Sequence, residues 1–216
     1  RDAELIDSKR KTVTPFYENL KGIFEKDELL AFELVWVNLF YNSAPVFWYL
    51  SRVPWGKAYS SNELKQMVEN EGLTITKRTI SNGIDGLFNT FEANQYLQKL
   101  GVVSVVRHDR ERVALKMGTN DVHPAAVLYS LYRYAIRKGY YNLTVKELYN
   151  ESNSAYGGPY VIFGVERQSL ERLLRGMQEH YKGLVRVDLV ADLDNIHLDP
   201  SVKDYKELVT HYGSRF

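Results

Sequence analysis

Four polar side chains recur at helical spacing between residues 77 and 82, and their chemistry suits a partner that carries phosphates and hydrogen-bonding edges. They are Lys77, Arg78, Ser81 and Asn82. Lysine and arginine pair with phosphate oxygens, whereas serine and asparagine can exchange hydrogen bonds with base edges. Apolar residues at positions 80, 84, 87 and 91 fall on the other side of the same helix. The segment therefore predicts an amphipathic helix with a polar face that is free to bind.

The residues on either side predict the elements that would position this helix. Before it, Ser60 and Glu63 have the spacing of a capping box, and the helix that they open is expected to end near Gly72. After it, the apolar period changes to two in residues 102–107 and 112–117, which predicts a β-hairpin. Helix, turn, polar-faced helix and hairpin, in this order, predict a winged helix-turn-helix that binds DNA.

The predicted hairpin carries Arg107, Arg110 and Arg112. If DNA is bound, we expect the polar helix face in the major groove and these arginines on the phosphate backbone or in the minor groove. Gly83 and Gly86 count against a long second helix, because each costs about 1 kcal/mol relative to alanine. Either another backbone packs closely there, or the helix is shorter than the pattern indicates.

The second half of the chain repeats this order of segments. Residues 144–148 match 60–64, 168–174 match the second helix, 182–187 match 100–105, and 195–198 match 112–115. The repeat predicts a mainly α protein with small β-hairpins, a tandem winged helix-turn-helix divided into residues 1–119 and 120–216 at a polar, flexible boundary.

Charge separates the two copies. The hairpin of the second copy is acidic and would repel phosphates, so we expect this copy to serve in dimerisation or docking. Its helix still offers Arg167, Gln168, Arg172 and Arg175 as weaker candidates for DNA contact.

The composition of the chain excludes several kinds of binding surface and reactive site. The formal net charge of +1 excludes a globally basic coat, so any electrostatic footprint must be local. The absence of cysteine excludes disulfides, thiolate metal sites and a cysteine nucleophile. The most apolar run, residues 29–41, is too short to span a bilayer, and the start shows no signal-peptide pattern. We expect a cytoplasmic protein without membrane contact.

Other residues with reactive side chains form no complete motif. Asp188, Asp192, Asp194 and Asp199, with His197, could bind a hard cation, but solvated turn residues are the default interpretation. Residues 156–159 lack the glycine pattern of a phosphate loop, which leaves residues 153–163 as a surface loop or a binding lid. We therefore predict no metal, no cofactor and no enzymatic activity.

Short motifs over roughly the C-terminal three quarters of the chain resemble one prokaryotic family. They are Ile75-Thr76-Lys77-Arg78-Thr79-Ile80, Phe88-Asn89-Thr90-Phe91, Leu100-Gly101-Val102-Val103, Leu193-Asp194-Asn195-Ile196-His197-Leu198 and His211-Tyr212-Gly213. The family that they resemble is the domain of unknown function four thousand and seven, whose members occur beside sulfotransfer and DNA-phosphorothioation genes of phage-defence islands. The resemblance implies a DNA-associated defence role and assigns no catalytic residue.

Two hypotheses about function follow. The first is a double-stranded DNA-binding protein, either a transcription regulator or the DNA-recognition subunit of a defence or DNA-modification system. The second is a winged-helix protein-interaction subunit of a defence or regulatory complex that does not itself contact DNA. Its partners would be other proteins of the complex, and a homodimer is a further candidate assembly. The near-neutral charge, the acidic second hairpin and the aromatic-rich residues 28–53 favour the second hypothesis.

Overall fold

The chain is mainly helical with small antiparallel sheets, as the sequence predicts. The computed structural model describes residues 3–7, 9–93, 95–108, 111–189 and 194–212. The N-terminal part comprises β1 Ile6–Asp7, β2 Thr12–Val13, α1 Pro15–Phe24, α2 Glu28–Asn42 and α3 Ala44–Arg52. Within the described ranges, no single helix is long and apolar enough to cross a bilayer; α2 and α3 together have the length and composition, but they meet at a bend of 93°.

A first unit follows, in which a three-stranded sheet packs against helices. Its elements are β3 Ala58–Ser60, α4 Ser61–Asn70, α5 Lys77–Ala93, α6 Gln95–Leu100, β4 Val103–His108 and β5 Glu111–Lys116. The sheet order is β3-β5-β4, so the last strand lies in the centre. The predicted capping box is confirmed: the Glu63 backbone N–H donates to Ser60 Oγ, and the Ser60 N–H donates to Glu63 Oε2.

Helix α5 is continuous through both glycines, and neither explanation that the sequence suggested is correct. A Cβ on Gly83 would make an ordinary contact, 3.6 Å from the side chain of Pro45, and a Cβ on Gly86 would meet nothing within 4 Å. No backbone therefore packs closely at either position. The buried apolar face of α5, which includes Ile84 and Phe88, offsets the low helix propensity of the two glycines.

A second unit has the same sheet order, and along the chain a helix again precedes its β-hairpin. Its elements are α7 Pro124–Lys138, β6 Asn142–Thr144, α8 Val145–Leu148, a 3-10 helix Glu151–Tyr156, α9 Pro159–Phe163, α10 Arg167–His180, β7 Val185–Asp188, β8 Asn195–Leu198 and α11 Lys206–Tyr212. The sheet order is β6-β8-β7. Helix α10 occupies the position of α5, and the β7–β8 pair occupies that of β4–β5.

The inserted segment of the second unit is not a surface loop, which corrects the default interpretation. All of α9 except Tyr160 is buried, and the Trp36 indole N–H of α2 donates to the Ile162 carbonyl at 2.9 Å. The Tyr41 hydroxyl donates to the Tyr156 carbonyl at 2.9 Å. A Cβ on Gly157 would lie 2.6 Å from the Phe40 ring, so the segment needs a glycine there. The insertion joins the second unit to α2.

The segment that links the units is packed rather than free. The Thr119 N–H donates to the Phe163 carbonyl at 2.8 Å. Gly118 and Gly164 both have positive φ, and a Cβ on Gly164 would lie 2.7 Å from Gly118 Cα and 2.9 Å from the Trp55 ring. The glycines therefore allow two backbones to touch, and one hydrophobic core includes residues of both units.

A buried arginine connects the two ends of the chain. Arg133 of α7 bonds to Asn38 of α2 and forms an ion pair with Glu4 at 3.2 Å. Its guanidinium lies over the rings of Tyr41 and Tyr205, 4.2 and 3.9 Å from their centroids. Burial alone would raise the pKa of Glu4, but hydrogen bonds, the first from Tyr205, and the charge of Arg133 lower it. The ionised pair thus fixes the N-terminal segment against α2 and α7.

Candidate nucleic-acid interface

Helix α5 begins at the surface with two cations. The side chains of Lys77, Arg78 and Asn82 are exposed. Lys77 Nζ lies 4.0 Å from Glu69 Oε2, but 87% of the Lys77 side chain remains exposed, so this ion pair is weak. The first turn of a helix also presents backbone N–H groups and partial positive charge. Three of the four predicted residues of the polar face thus lie where an anionic partner could reach them.

Ser81, the fourth predicted residue, instead points toward a carboxylate on the same helix. Its hydroxyl donates to Asp85 Oδ2 at 3.1 Å, and the residue is half-buried. Asp85 also accepts from Lys65 Nζ at 3.1 Å and from Arg112 Nη2 at 3.2 Å. Burial would raise the pKa of Asp85, but the hydrogen bonds from Lys65 and Ser81 and the neighbouring cations lower it. Ser81 therefore belongs to an ion-pair network that joins α4, α5 and β5.

The hairpin arginines hold the hairpin against α5. Arg112 donates to Asn89 Oδ1 at 2.7 Å, lies 3.5 Å from Glu92 and keeps only 23% of its side chain exposed. Arg107 pairs with Glu92 at 3.1 Å, although 71% of its side chain is exposed. The hydrogen bond from Arg107 is the main reason that the pKa of Glu92 is lowered. Arg112 is thus a positioning residue, Arg107 can still reach a partner, and Arg110 lies outside the described residues.

The matching helix of the second unit has fewer free cations. Arg167 pairs with Glu171 at 2.9 Å and with Asp194 at 3.6 Å, and Arg175 donates to the Leu189 carbonyl at 2.7 Å. Gln168 and Arg172 are exposed. Because Arg167 is paired with carboxylates and Arg175 is bonded to a carbonyl, α10 is less able than the start of α5 to attract phosphates.

The acidic residues near the second hairpin form no metal centre in the described part of the chain. No group of three or more His, Cys, Asp or Glu there could hold an ion. His197 lies 3.0 Å from Asp188 Oδ2 through Nε2 and 2.8 Å from Asn142 Oδ1 through Nδ1, so both ring nitrogens are engaged. Asp194 Oδ2 accepts from the Lys146 N–H at 2.7 Å. Asp192 lies outside the described residues.

One functional candidate escaped the sequence analysis. Lys116, the last residue of β5, is fully buried, and it lines a cleft of about 490 Å³ between the two units. The strand period could have indicated this burial, because Lys116 is two residues from Ala114 and so shares its core-facing side. The sequence cannot show which groups accept hydrogen bonds from the Lys116 ammonium. In the fold, the acceptors are the carbonyls of Leu50 and Val53 at the end of α3.

Comparisons with known proteins bear on the fold. The chain matches no protein-family model and no curated protein. A solved structure described as "SspB crystal structure" is similar, with a TM-score of 0.63 and 12% sequence identity. The similarity covers 84% of this chain and 59% of the other, so this chain spans less than two thirds of that structure. At this identity the similarity concerns the fold alone.

Proposed function

We propose that the chain binds double-stranded DNA through its first unit, and that both units are winged helix-turn-helix modules. The observation that carries this proposal is the exposed start of α5, with Lys77, Arg78 and Asn82 on the surface of its first two turns. Since the net charge is only +1, attraction to phosphates requires such a local concentration of cations.

In this proposal the first two turns of α5 enter the major groove. Lys77 and Arg78 would contact phosphates or guanine edges, and Asn82 would reach a base edge. Arg107 would exchange Glu92 for a phosphate, because most of its side chain is exposed. Arg112 and Ser81 would act indirectly. Arg112 holds the hairpin against α5, and Ser81 donates to Asp85, the residue of α5 that Arg112 and Lys65 of α4 also contact.

The test compares two double variants with equal changes in charge. Lys77→Ala/Arg78→Ala removes the two cations at the start of α5. Lys21→Ala/Lys26→Ala removes two exposed lysines, one in the last turn of α1 and one just after it. Fluorescence anisotropy with a random-sequence duplex at low salt measures the affinity of each. We expect the α5 variant to bind about tenfold more weakly or worse, because two phosphate contacts are lost, and the α1 variant to bind like the unmodified protein. Equal affinities of the two variants would remove α5 from the interface.

A second candidate is a subunit that contacts only protein, and the turn between α4 and α5 favours it. Leu73 and Ile75 expose 50% and 46% of their surface there. Apolar side chains exposed beside each other are typical of protein interfaces. In this case the start of α5 would dock on a partner subunit or on a second copy of the chain. No binding of DNA even at low salt would favour this candidate.

The biological setting of the proposal comes from the family resemblance. We propose a regulator or DNA-recognition subunit of a defence or DNA-modification system, without catalytic activity of its own. The motifs that support this setting include the start of α5 itself; two of their residues, Leu193 and Gly213, lie outside the described part of the chain.

A further inference from the structure

The cleft between the units, here called the junction cleft, is lined by segments from both of them. One wall is the end of α3 and the turn after it, including Arg52 and Trp55. The opposite wall comes from the inserted segment, including Glu151 of the 3-10 helix and Tyr160 of α9, and Lys116 closes the base. Its volume of about 490 Å³ lies within the range of small-molecule sites. Among the described residues, α5 contributes nothing to its lining.

The base of the junction cleft holds the amino group of Lys116, which has no ionic partner among the described residues. The Lys116 ammonium donates to the Leu50 and Val53 carbonyls at 2.5 and 2.8 Å, and no carboxylate lies within ion-pair distance of it in the described part of the chain. Burial lowers the pKa of Lys116 to about 7. Since dipoles and not a counter-charge hold the ammonium, an anion in the cleft would stabilise its charged form. Arg52, exposed at the rim, adds a second cation that an entering anion can contact directly.

The same cleft has an aromatic wall. The rings of Trp55 and Tyr160 are half-buried, with centroids 6.2 Å apart and planes inclined by 49°. Lys116 Nζ lies 3.9 Å from the centroid of Trp55. Burial, and then the charge of Glu151, raises the pKa of Tyr160, so its hydroxyl stays protonated and can donate. Glu151 offers carboxylate oxygens to hydroxyl groups of a ligand. The junction cleft therefore brings together two aromatic rings, two basic side chains and a carboxylate that can accept a hydrogen bond from a ligand hydroxyl.

We propose that the junction cleft binds a nucleoside monophosphate. The phosphate lies toward Arg52, within the field of Lys116, while the base packs against Trp55 and Tyr160 and a sugar hydroxyl donates to Glu151. An inorganic anion would leave the aromatic wall unused, and an uncharged nucleoside would leave the cations unused. This site is separate from the proposed DNA interface, and the nucleotide proposal does not depend on DNA binding.

The test is calorimetric titration of the full chain with adenosine monophosphate, adenosine and inorganic phosphate. We expect the nucleotide to bind at least about tenfold more tightly than either of the other two, because only it uses both walls. At pH 8 its binding should take up protons, seen as a heat that depends on the ionisation enthalpy of the buffer, since the phosphate raises the pKa of Lys116. Equal binding of phosphate and nucleotide, or no binding of the nucleotide, would overturn the proposal.

Two variants add a matched comparison. Arg52→Gln removes the cation at the rim, and Arg172→Gln removes an exposed arginine of α10 that does not line the cleft. Arg52→Gln should weaken nucleotide binding about tenfold and leave adenosine binding unchanged, because it removes a charged hydrogen bond to the phosphate. Arg172→Gln should change neither. If the two variants bind the nucleotide equally well, Arg52 does not contact a phosphate and the proposed orientation is wrong.

Discussion

Raising the pH from 5 to 8 should destabilise the protein through Glu33 of α2. This side chain is buried, with 2% of the residue exposed, and its two carboxyl oxygens accept from the His123 N–H at 3.1 and 3.2 Å. Burial raises the pKa of Glu33 from 4.5 to about 8; the His123 N–H opposes this shift, and the charges of Asp27 and Asp121 add to it. Near neutral pH the folded protein therefore holds a proton on Glu33 that the unfolded chain has lost.

The sign of the effect follows from this difference. Below about pH 4.5 both states carry the proton, and the contribution of Glu33 to stability is fully present. Between 4.5 and 8 the folded state binds more protons, so the free energy of unfolding falls by up to about 1.4 kcal/mol per pH unit. That slope corresponds to roughly 3–6 °C in the melting temperature per pH unit for a chain of this size. The total over the window is on the order of a few kcal/mol.

The assay is urea unfolding at pH 5, 6, 7 and 8 for the unmodified chain and for Glu33→Gln. Glutamine keeps the shape and an acceptor for the His123 N–H but cannot ionise. The pKa values of His123 and Lys116 are both lowered by burial, so these groups favour the folded state as the pH rises, and they do so in both proteins. The stability difference between the two proteins therefore isolates Glu33. As the pH rises from 5 to 8, the stability of Glu33→Gln should increase steadily relative to that of the unmodified chain. A stability difference that does not depend on pH would refute the reasoning.

Two further predictions concern glycines. Gly86→Ala should raise the free energy of unfolding by up to about 1 kcal/mol, because the position is helical and open. Gly72→Ala should lower the free energy of unfolding by about as much, because the φ of Gly72 is +67°. Urea unfolding of the two variants tests both expectations. Gly164→Ala should destabilise by several kcal/mol, since its Cβ would strike Gly118 and the Trp55 ring, while Gly176→Ala in α10 meets nothing. An unchanged urea midpoint for Gly164→Ala would mean that the two units can move apart at this contact without a loss of stability.

Local patterns predicted much of the fold. Apolar residues at helical spacing from Pro124 onward, followed by Gly139, predict a helix over residues 124–138. The helix is found as α7 Pro124–Lys138, and Gly139 ends it in the left-handed region. The capping box at Ser60 and both hairpins also lie where the sequence places them, because each depends on neighbours within a few residues.

The features that the sequence could not predict depend on contacts between distant segments. Residues 153–163 look like a loop, since residues 153–159 are rich in turn residues and α9 is short. In the fold, Trp36 and Tyr41 of α2 hydrogen-bond to this segment and hold it against the core. Arg112 looks like a free cation until α5 supplies Asp85 and Glu92 as its partners. The junction cleft likewise exists only when α3 and the inserted segment meet.

The most direct test of DNA binding is the salt dependence of the affinity of the unmodified chain for a random-sequence duplex. Contacts from Lys77, Arg78 and Arg107 should give dissociation constants of about 1–100 μM at physiological salt and a slope of about −2 to −3 in a plot of log affinity against log salt. No binding at low salt, or binding that does not depend on salt, would contradict the proposal.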